Sequence, residues 1–345
     1  MAHPRPANKS REALYGYLIG RPHDAGALPD IVREFEAYKA GAAVATPDVP
    51  FQMLTGLPLG VRQWAEIARN ASWQTVRMNL NTFARHGVFG EWGLTERIAA
   101  QLADPAEIAR ARVFPYQLMA AYRSVDPGVP AVVREALAGA MEIAVANVPA
   151  LGGKVYVCPD VSGSMSSPIT GVRKGATTAV RCIDVAALIS AAVLRRNPGA
   201  EVLPFDTGVA DLALRAGDGI LANAEKLASV GGGGTACSVP LAELNRRGAT
   251  GSLVVFVSDN ESWADPARGR GTAMMTEWEA FRRRNPAAKL VCIDLQPNAT
   301  TQAAERADVL NVGGFSDAVF DVLAEFAAGR LNGDHWVGVV EAVEI

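Results

Sequence analysis

Apolar positions follow one rhythm up to about residue 150 and another after it. From residue 12 to about residue 148 they recur at helical spacing, in short runs broken by Pro and Gly. Ile31, Phe35 and Tyr38 share one face of residues 28–38. Residues 51–55 predict a short helix after the Pro-containing break at 46–50. Val61, Trp64, Ile67 and Ala68 line one side of residues 60–70, and Val76, Leu80 and Phe83 line the next helix, which Ser72 can cap and Gly87 can end. Further helices are predicted over 116–122 and 131–148, with no strand signal between them. Beyond residue 154, short β-branched runs alternate with apolar helical stretches: strands at 154–158, 201–205, 253–257 and 290–294, helices at 178–195, 220–229, 238–247, 274–284 and 318–327.

The first pattern, tight turns between short amphipathic helices, predicts an α-solenoid of HEAT-like helix pairs over residues 1–150, although no clean repeat period is visible. The second predicts a doubly wound, Rossmann-like α/β domain over 151–345. Composition adds little to this picture. With 49% hydrophobic and 20% charged residues the chain has enough apolar mass for two buried cores. The net charge of −3 excludes a globally basic nucleic-acid binder; it divides into about +1 over residues 1–150 and about −4 over the remainder. Cys158, Cys182, Cys237 and Cys292 are scattered, without a CxxC pair, which argues against a zinc site or a disulfide framework and for a reducing cytoplasm. The N-terminus lacks the apolar run of a signal peptide, and no stretch of 18 apolar residues predicts a membrane span.

Candidate chemistry concentrates at residues 154–165, KVYVCPDVSGSM. A buried strand is predicted to end at Asp160, and Ser162 and Ser164 follow at alternate positions in a loop kept open by Gly163. One carboxylate and two hydroxyls at this spacing can converge on a point, an arrangement hard divalent cations favour. Alone, the three residues are also compatible with a polar turn. The D-x-S-x-S pattern resembles the metal-ion-dependent adhesion site of von Willebrand factor A domains. That resemblance implies a Thr in a Gly-rich loop and an Asp after a later strand, met here by Thr235 after glycines 231–234 and by Asp259 after VVFVS. It also implies an antiparallel edge strand, for which residues 209–215 are the candidate. The expected ion is Mg²⁺, with Mn²⁺ or Ca²⁺ as substitutes, and its open position would take an acidic side chain or a phosphate oxygen. No nucleophile and base are paired nearby, so the site is expected to be adhesive and the chain not an enzyme. Glu261 either orients outer-shell water or is a solvated loop charge. Asp206-Thr-Gly208 spells the aspartic-protease triplet once only, which favours coincidence, and GVRKGATT at 171–178 lacks the end of a P-loop.

A helical region followed by such a domain resembles the Ro60/TROVE family of ring-shaped RNA-binding proteins. WQTVRMNL at 73–80 with Gly87-Val88, RVFPY at 112–116 and SDNES at 258–262 carry this likeness. It implies small structured non-coding RNA as partner, ribonucleoprotein formation and cytoplasmic location, with no DNA and no membrane. Arg62, Arg69, Arg77, Asn79, Arg85 and His86 are the candidate RNA contacts, each also readable as a solvated helix position and His86 as a helix cap. Trp64, Trp73 and Phe83 have core spacing, and Arg282 to Arg284 form a basic run with a solvent-facing default. The family's helical region is about twice as long, so its N-terminal repeats are expected to be missing and ring closure with them. The rival expectation is a metal-dependent protein-interaction adaptor, such as a partner of an AAA+ ATPase. A continuous basic helical surface would favour RNA, and a neutral one the adaptor.

Overall fold

The computed structural model describes residues 6–42, 45–171, 180–259, 272–297, 303–331, 337–338 and 341. Two compact units are present, Met1–Gln101 with Asp126–Val133, and Leu102–Val125 with Arg134–Ile345.

The first unit is helical: α1 (Lys9–Leu18), α2 (Asp30–Lys39), α3 (Phe51–Leu54), α4 (Val61–Asn70), α5 (Trp73–Arg85) and α6 (Leu94–Leu102). The expected faces are buried in part: Phe35 is inside, whereas Ile31 and Val61, which the sequence pattern places on the same faces as buried residues, are exposed at the helix ends. Trp64, Ile67 and Ala68 of α4 and Trp73, Val76, Leu80 and Phe83 of α5 are inside, so these aromatics are packing residues. Ser72 caps α5 by accepting from the Thr75 amide, and Gly87, at φ 73°, takes the left-handed turn that ends it. α2 begins two residues later than the apolar pattern suggests, because Pro29 occupies its N-cap.

In the second unit α7 (Pro105–Ala111), α8 (Pro115–Ser124) and most of α9 (Ala131–Ala144) join the α/β part, although their pattern groups them with the preceding helices. Phe114 stacks on Phe320, and Tyr116 meets Phe315 edge-on. The sheet is built from β1 (Val155–Pro159), β2 (Glu201–Val202), β3 (Leu253–Ser258), β4 (Lys289–Asp294) and β5 (Val309–Gly313), in the order β2-β1-β3-β4-β5 and all parallel. Every residue of β1 and β3 is buried, as expected of strands covered by helices on both faces. On one face Tyr156, Cys158, Val254, Phe256, Leu290 and Cys292 pack with Leu241 and Leu244 of α12 (Val239–Arg246) and with Trp278 and Phe281 of α13 (Ala273–Arg284). α10 (Cys182–Arg196), α11 (Ile220–Ala228) and α14 (Val319–Ala327) complete the unit, and α10 is buried from Cys182 to Leu194.

Two expectations are corrected. Residues 209–215 form no strand: a single antiparallel bridge joins Val209 to Phe205, and the Ala210 amide turns back to the Pro204 carbonyl. The alternating pattern is present, but the tight turn at Asp206 limits the pairing to that one bridge beside Phe205. Conversely, β5 is a full strand despite Asn311 and Gly313, which dilute its apolar signal. The predicted start of α10 at Thr178, and the 171–178 motif beyond Gly171, lie outside the described residues.

Phe256 is fully buried at the centre of this packing. Phe256→Ala is expected to destabilise the second unit by about 3–5 kcal/mol, read as a lower urea midpoint.

Candidate metal centre

In a parallel sheet of this order the chain leaves β1 on both sides, and the crevice where its connections diverge lies at the carboxyl ends of β1 and β3. The five residues expected to hold a metal lie on segments that end or turn there. Past Pro159 the backbone keeps its ladder for two more residues, the Asp160 amide donating to Val257 and the Val161 amide to Phe205. It then folds into the short 3₁₀ turn Gly163–Ser166. Asp160 is fully buried: one carboxylate oxygen accepts from the Ser162 amide at 2.8 Å, the other from the Ser258 hydroxyl at 2.7 Å. The Ser162 and Ser164 hydroxyls lie 3.2 Å apart.

The glycine loop is tied to this turn through its backbone. Gly232 donates to the Val161 carbonyl at 2.9 Å, and Gly163 donates to the Gly233 carbonyl at 3.0 Å. Gly231 has φ 94°, and a Cβ there would lie 2.0 Å from the Val161 oxygen, so no other residue fits. Asp206 clamps the loop's far side, one carboxylate oxygen accepting from the Gly233 amide and the other from Gly208, both at 3.2 Å, while its carbonyl accepts from Ala236. The Asp-Thr-Gly triplet thus acts as a structural clamp on the glycine loop.

Thr235 arrives fully buried, with no hydrogen-bond partner for its hydroxyl; one oxygen of the buried Asp259 is likewise unpartnered. Buried polar atoms without partners are rare and call for an unseen ion or water. Two carboxylates and three hydroxyls, two of whose oxygens are orphaned, fit a hard divalent cation that keeps part of its water shell. No group of three His, Cys, Asp or Glu side chains suited to a metal occurs among the described residues, so hydroxyl and water oxygens must complete any coordination. Asn260, Glu261 and Ser262 lie outside the described residues.

Burial pushes the Asp160 carboxyl up to about 6, against hydrogen bonds from Ser162 and Ser258, and nearby Asp259 adds to the rise. Asp294, which ends β4 and which the sequence does not single out, is pushed up to about 7 by burial and then by Asp259. Trp92, 97% exposed in the turn before α6, is a second residue that carries no signal in the sequence. A carboxyl with a raised folded-state pKa binds more protons native than unfolded between the two values, so stability falls as pH rises through that window.

The RNA candidates have mixed surroundings. Arg62, Arg69 and Arg85 are exposed and Arg77 is half-buried. Arg69 pairs at 4.0 Å with Glu91, the residue before Trp92, and its carbonyl accepts from Arg97 of α6 at 2.8 Å. Arg77 donates to Gln74, and Arg85 to Thr82. Asn79 is structural: it donates to the Thr75 carbonyl at 2.8 Å and its own backbone departs from helical geometry, kinking α5. His86 is the C-cap of α5 and its ring stacks on Trp64 at 4.2 Å. The basic run at α13 is tied down, Arg282 to Asp308 and Arg284 to Asn245.

This sheet order, with an Asp-Ser-Ser turn facing a Gly-Thr loop across the switch point, defines a von Willebrand factor A-type domain. Residues 154–327 match the family described as the Ro60 vWA domain, and the chain belongs to that family. The chain is similar to the RNA-binding protein RO60 of Deinococcus radiodurans, with 27% identity over 361 residues that cover 96% of this chain and 65% of that protein. It thus spans about two thirds of that relative's length. The crystal structure of the Deinococcus radiodurans RO (RSR) protein superposes with a TM-score of 0.69 at 24% identity, covering 96% of this chain and 69% of that one, a likeness of fold.

In chelator, the chain is expected to lose stability between about pH 4 and pH 7, by on the order of 2–3 kcal/mol for Asp160 alone. Urea unfolding across that range checks this. Stability that stays level or rises would mean the two acids are paired in solution.

Proposed function

We propose that this chain is a non-catalytic RNA-binding protein that takes small structured non-coding RNA on its helical region and carries a divalent-cation contact point on its α/β domain. The observation that carries this reading is the extent of the likeness to a protein named for RNA binding: it runs over 96% of this chain, helices included. The helices supply suitable chemistry. Arg62, Arg69, Arg77 and Arg85 can pair with phosphates, and Trp92 offers an open aromatic face on which an unpaired base can stack. Asn79 and His86 act in this reading through the shape of α5 and its end.

Asp160, Ser162, Ser164, Thr235 and Asp259 would hold the cation, Mg²⁺ first, with Mn²⁺ or Ca²⁺ able to replace it. A bound ion would present positive charge and an open position to a phosphate oxygen or an acidic side chain. The two serine hydroxyls and Thr235 shape the cradle, and Asp160 is held in place by Ser162 and Ser258. Four free, buried cysteines suit the cytoplasm as the compartment.

A protein-binding adaptor is the second reading. Its support is the weak charge of the N-terminal part, about +1 over residues 1–150, together with the partial neutralisation of Arg69 by Glu91.

Crosslinking of RNA to the full chain in native cells, followed by sequencing of what co-purifies, separates the two. A discrete small RNA is expected, with Trp92→Ala lowering its affinity roughly tenfold or more. Arg77→Ala/Arg85→Ala should weaken binding and reduce the salt slope by about one for each phosphate no longer neutralised. Absence of any enriched RNA, with a protein partner that EDTA releases, would replace the first reading by the second.

A further inference from the structure

Asp294 stands apart from every other acidic residue near the cradle. β3 and β4 pair Ser258 with Asp294, and β1 continues past Pro159, itself paired with Val257, so that Asp160 lies opposite Ser258. Asp160, Ser258 and Asp294 therefore form one row across three strands, their side chains on the same face of the sheet. The first two already touch, Ser258 donating to Asp160. Asp294 is 3% exposed, and one of its carboxylate oxygens is buried without a partner. Its backbone is fixed on both sides, the Leu295 amide donating to Ser258 and the Gly314 amide to the Asp294 carbonyl. Gln296, two residues on, is committed to the Pro168 carbonyl and to Cys182.

A buried carboxylate with an unpartnered oxygen is costly, and a Leu at the end of a buried strand would avoid that cost. Two strand spacings separate Asp294 from Asp160, roughly 10 Å at the backbone, too far for both to ligate one small ion directly. Asp259 lies between, with an orphaned oxygen of its own, as does the Thr235 hydroxyl in the cradle. A hydrated cation answers all three orphans at once: Thr235 and Asp259 at or near the ion, Asp294 beyond its water.

We propose that Asp294 is an outer carboxylate of the cation site, accepting a hydrogen bond from a cation-bound water and adding a third negative charge to those of Asp160 and Asp259. This rests on the reading of the cradle as a cation site. Asp294 then acts as a positioning residue: it orients the water and strengthens binding of a small, hydrated divalent ion over a bare one. It also lowers the ion's remaining positive charge, so the open position draws anionic partners less strongly than a two-carboxylate site would.

Titration calorimetry of the full chain with MgCl₂ and with MnCl₂, paired with melting curves in chelator and in saturating Mg²⁺, tests this. Wild type should show one saturable site, Asp259→Asn none, and Asp294→Asn an affinity lower by about 10–100-fold. Asp294→Asn should melt at the same or a higher temperature in chelator and show a smaller rise with Mg²⁺. Equal affinity in wild type and Asp294→Asn, or melting temperatures that move together with the Mg²⁺-induced rise unchanged, would overturn the role of Asp294 and leave the cation site standing. No saturable binding in wild type would overturn the site itself. Asp294→Ser replaces Asp294→Asn should the latter fail to fold, with the same outcomes.

Discussion

Two backbone hydrogen bonds, from Gly232 to Val161 and from Gly163 to Gly233, hold together the turn after β1 and the glycine loop before α12. The first has only the short 3₁₀ turn Gly163–Ser166, and each supplies only part of the candidate centre. The bonds work because backbone approaches backbone without a side chain between, which Gly231 makes possible at φ 94°. Asp206 supports the same contact from the other side by accepting from the Gly233 amide. Thr235 inherits its position from this arrangement. Its hydroxyl is pointed into a buried space by loop geometry, with no hydrogen bond of its own to hold it.

The electrostatics follow from that placement. Three carboxylates stand at the ends of β1, β3 and β4, all buried, and the parallel sheet packs them among apolar neighbours. Asp160 is well supplied with hydrogen bonds yet is still pushed upward by burial. A domain whose only task was to be stable would not keep this group of charges at its interior edge, since well-packed apolar residues of similar volume do as well or better. A cation bound as proposed above would offset that charge.

Much of this was legible in the sequence, for reasons that differ by residue. β1 and β3 are almost continuously apolar and rich in Val because helices cover both their faces, and such runs stand out. Asp160, Ser162 and Ser164 are close neighbours in the chain, so their convergence can be read directly, and a known pattern extended it to Thr235 and Asp259. Asp294 is invisible at that level: an Asp at the end of a strand looks like any strand exit until register places it beside Ser258. The clamp at Asp206 depends on a partner 27 residues away, and the exposure of Trp92 depends on helices that turn its ring outward. Residues 209–215 mislead in the opposite direction: their alternation is real, but only Val209 forms a bridge. Asn79 and His86 carry polar groups that local backbone and ring contacts absorb, which no count of exposed arginines and amides could foresee.

The row that runs from Asp160 to Ser258 joins residues 98 positions apart in the chain. Closing a loop of that length must precede any gain from the strands it pairs, so parallel pairing of this kind is slow to form. During synthesis β1 therefore lacks its β3 neighbour until residue 258 has emerged, with β2 and α10 ahead of β3 to pack against it. The cradle does not exist in any shorter nascent chain. An ion captured there would stabilise only species in which β1 and β3 are already paired, and none that precede that pairing.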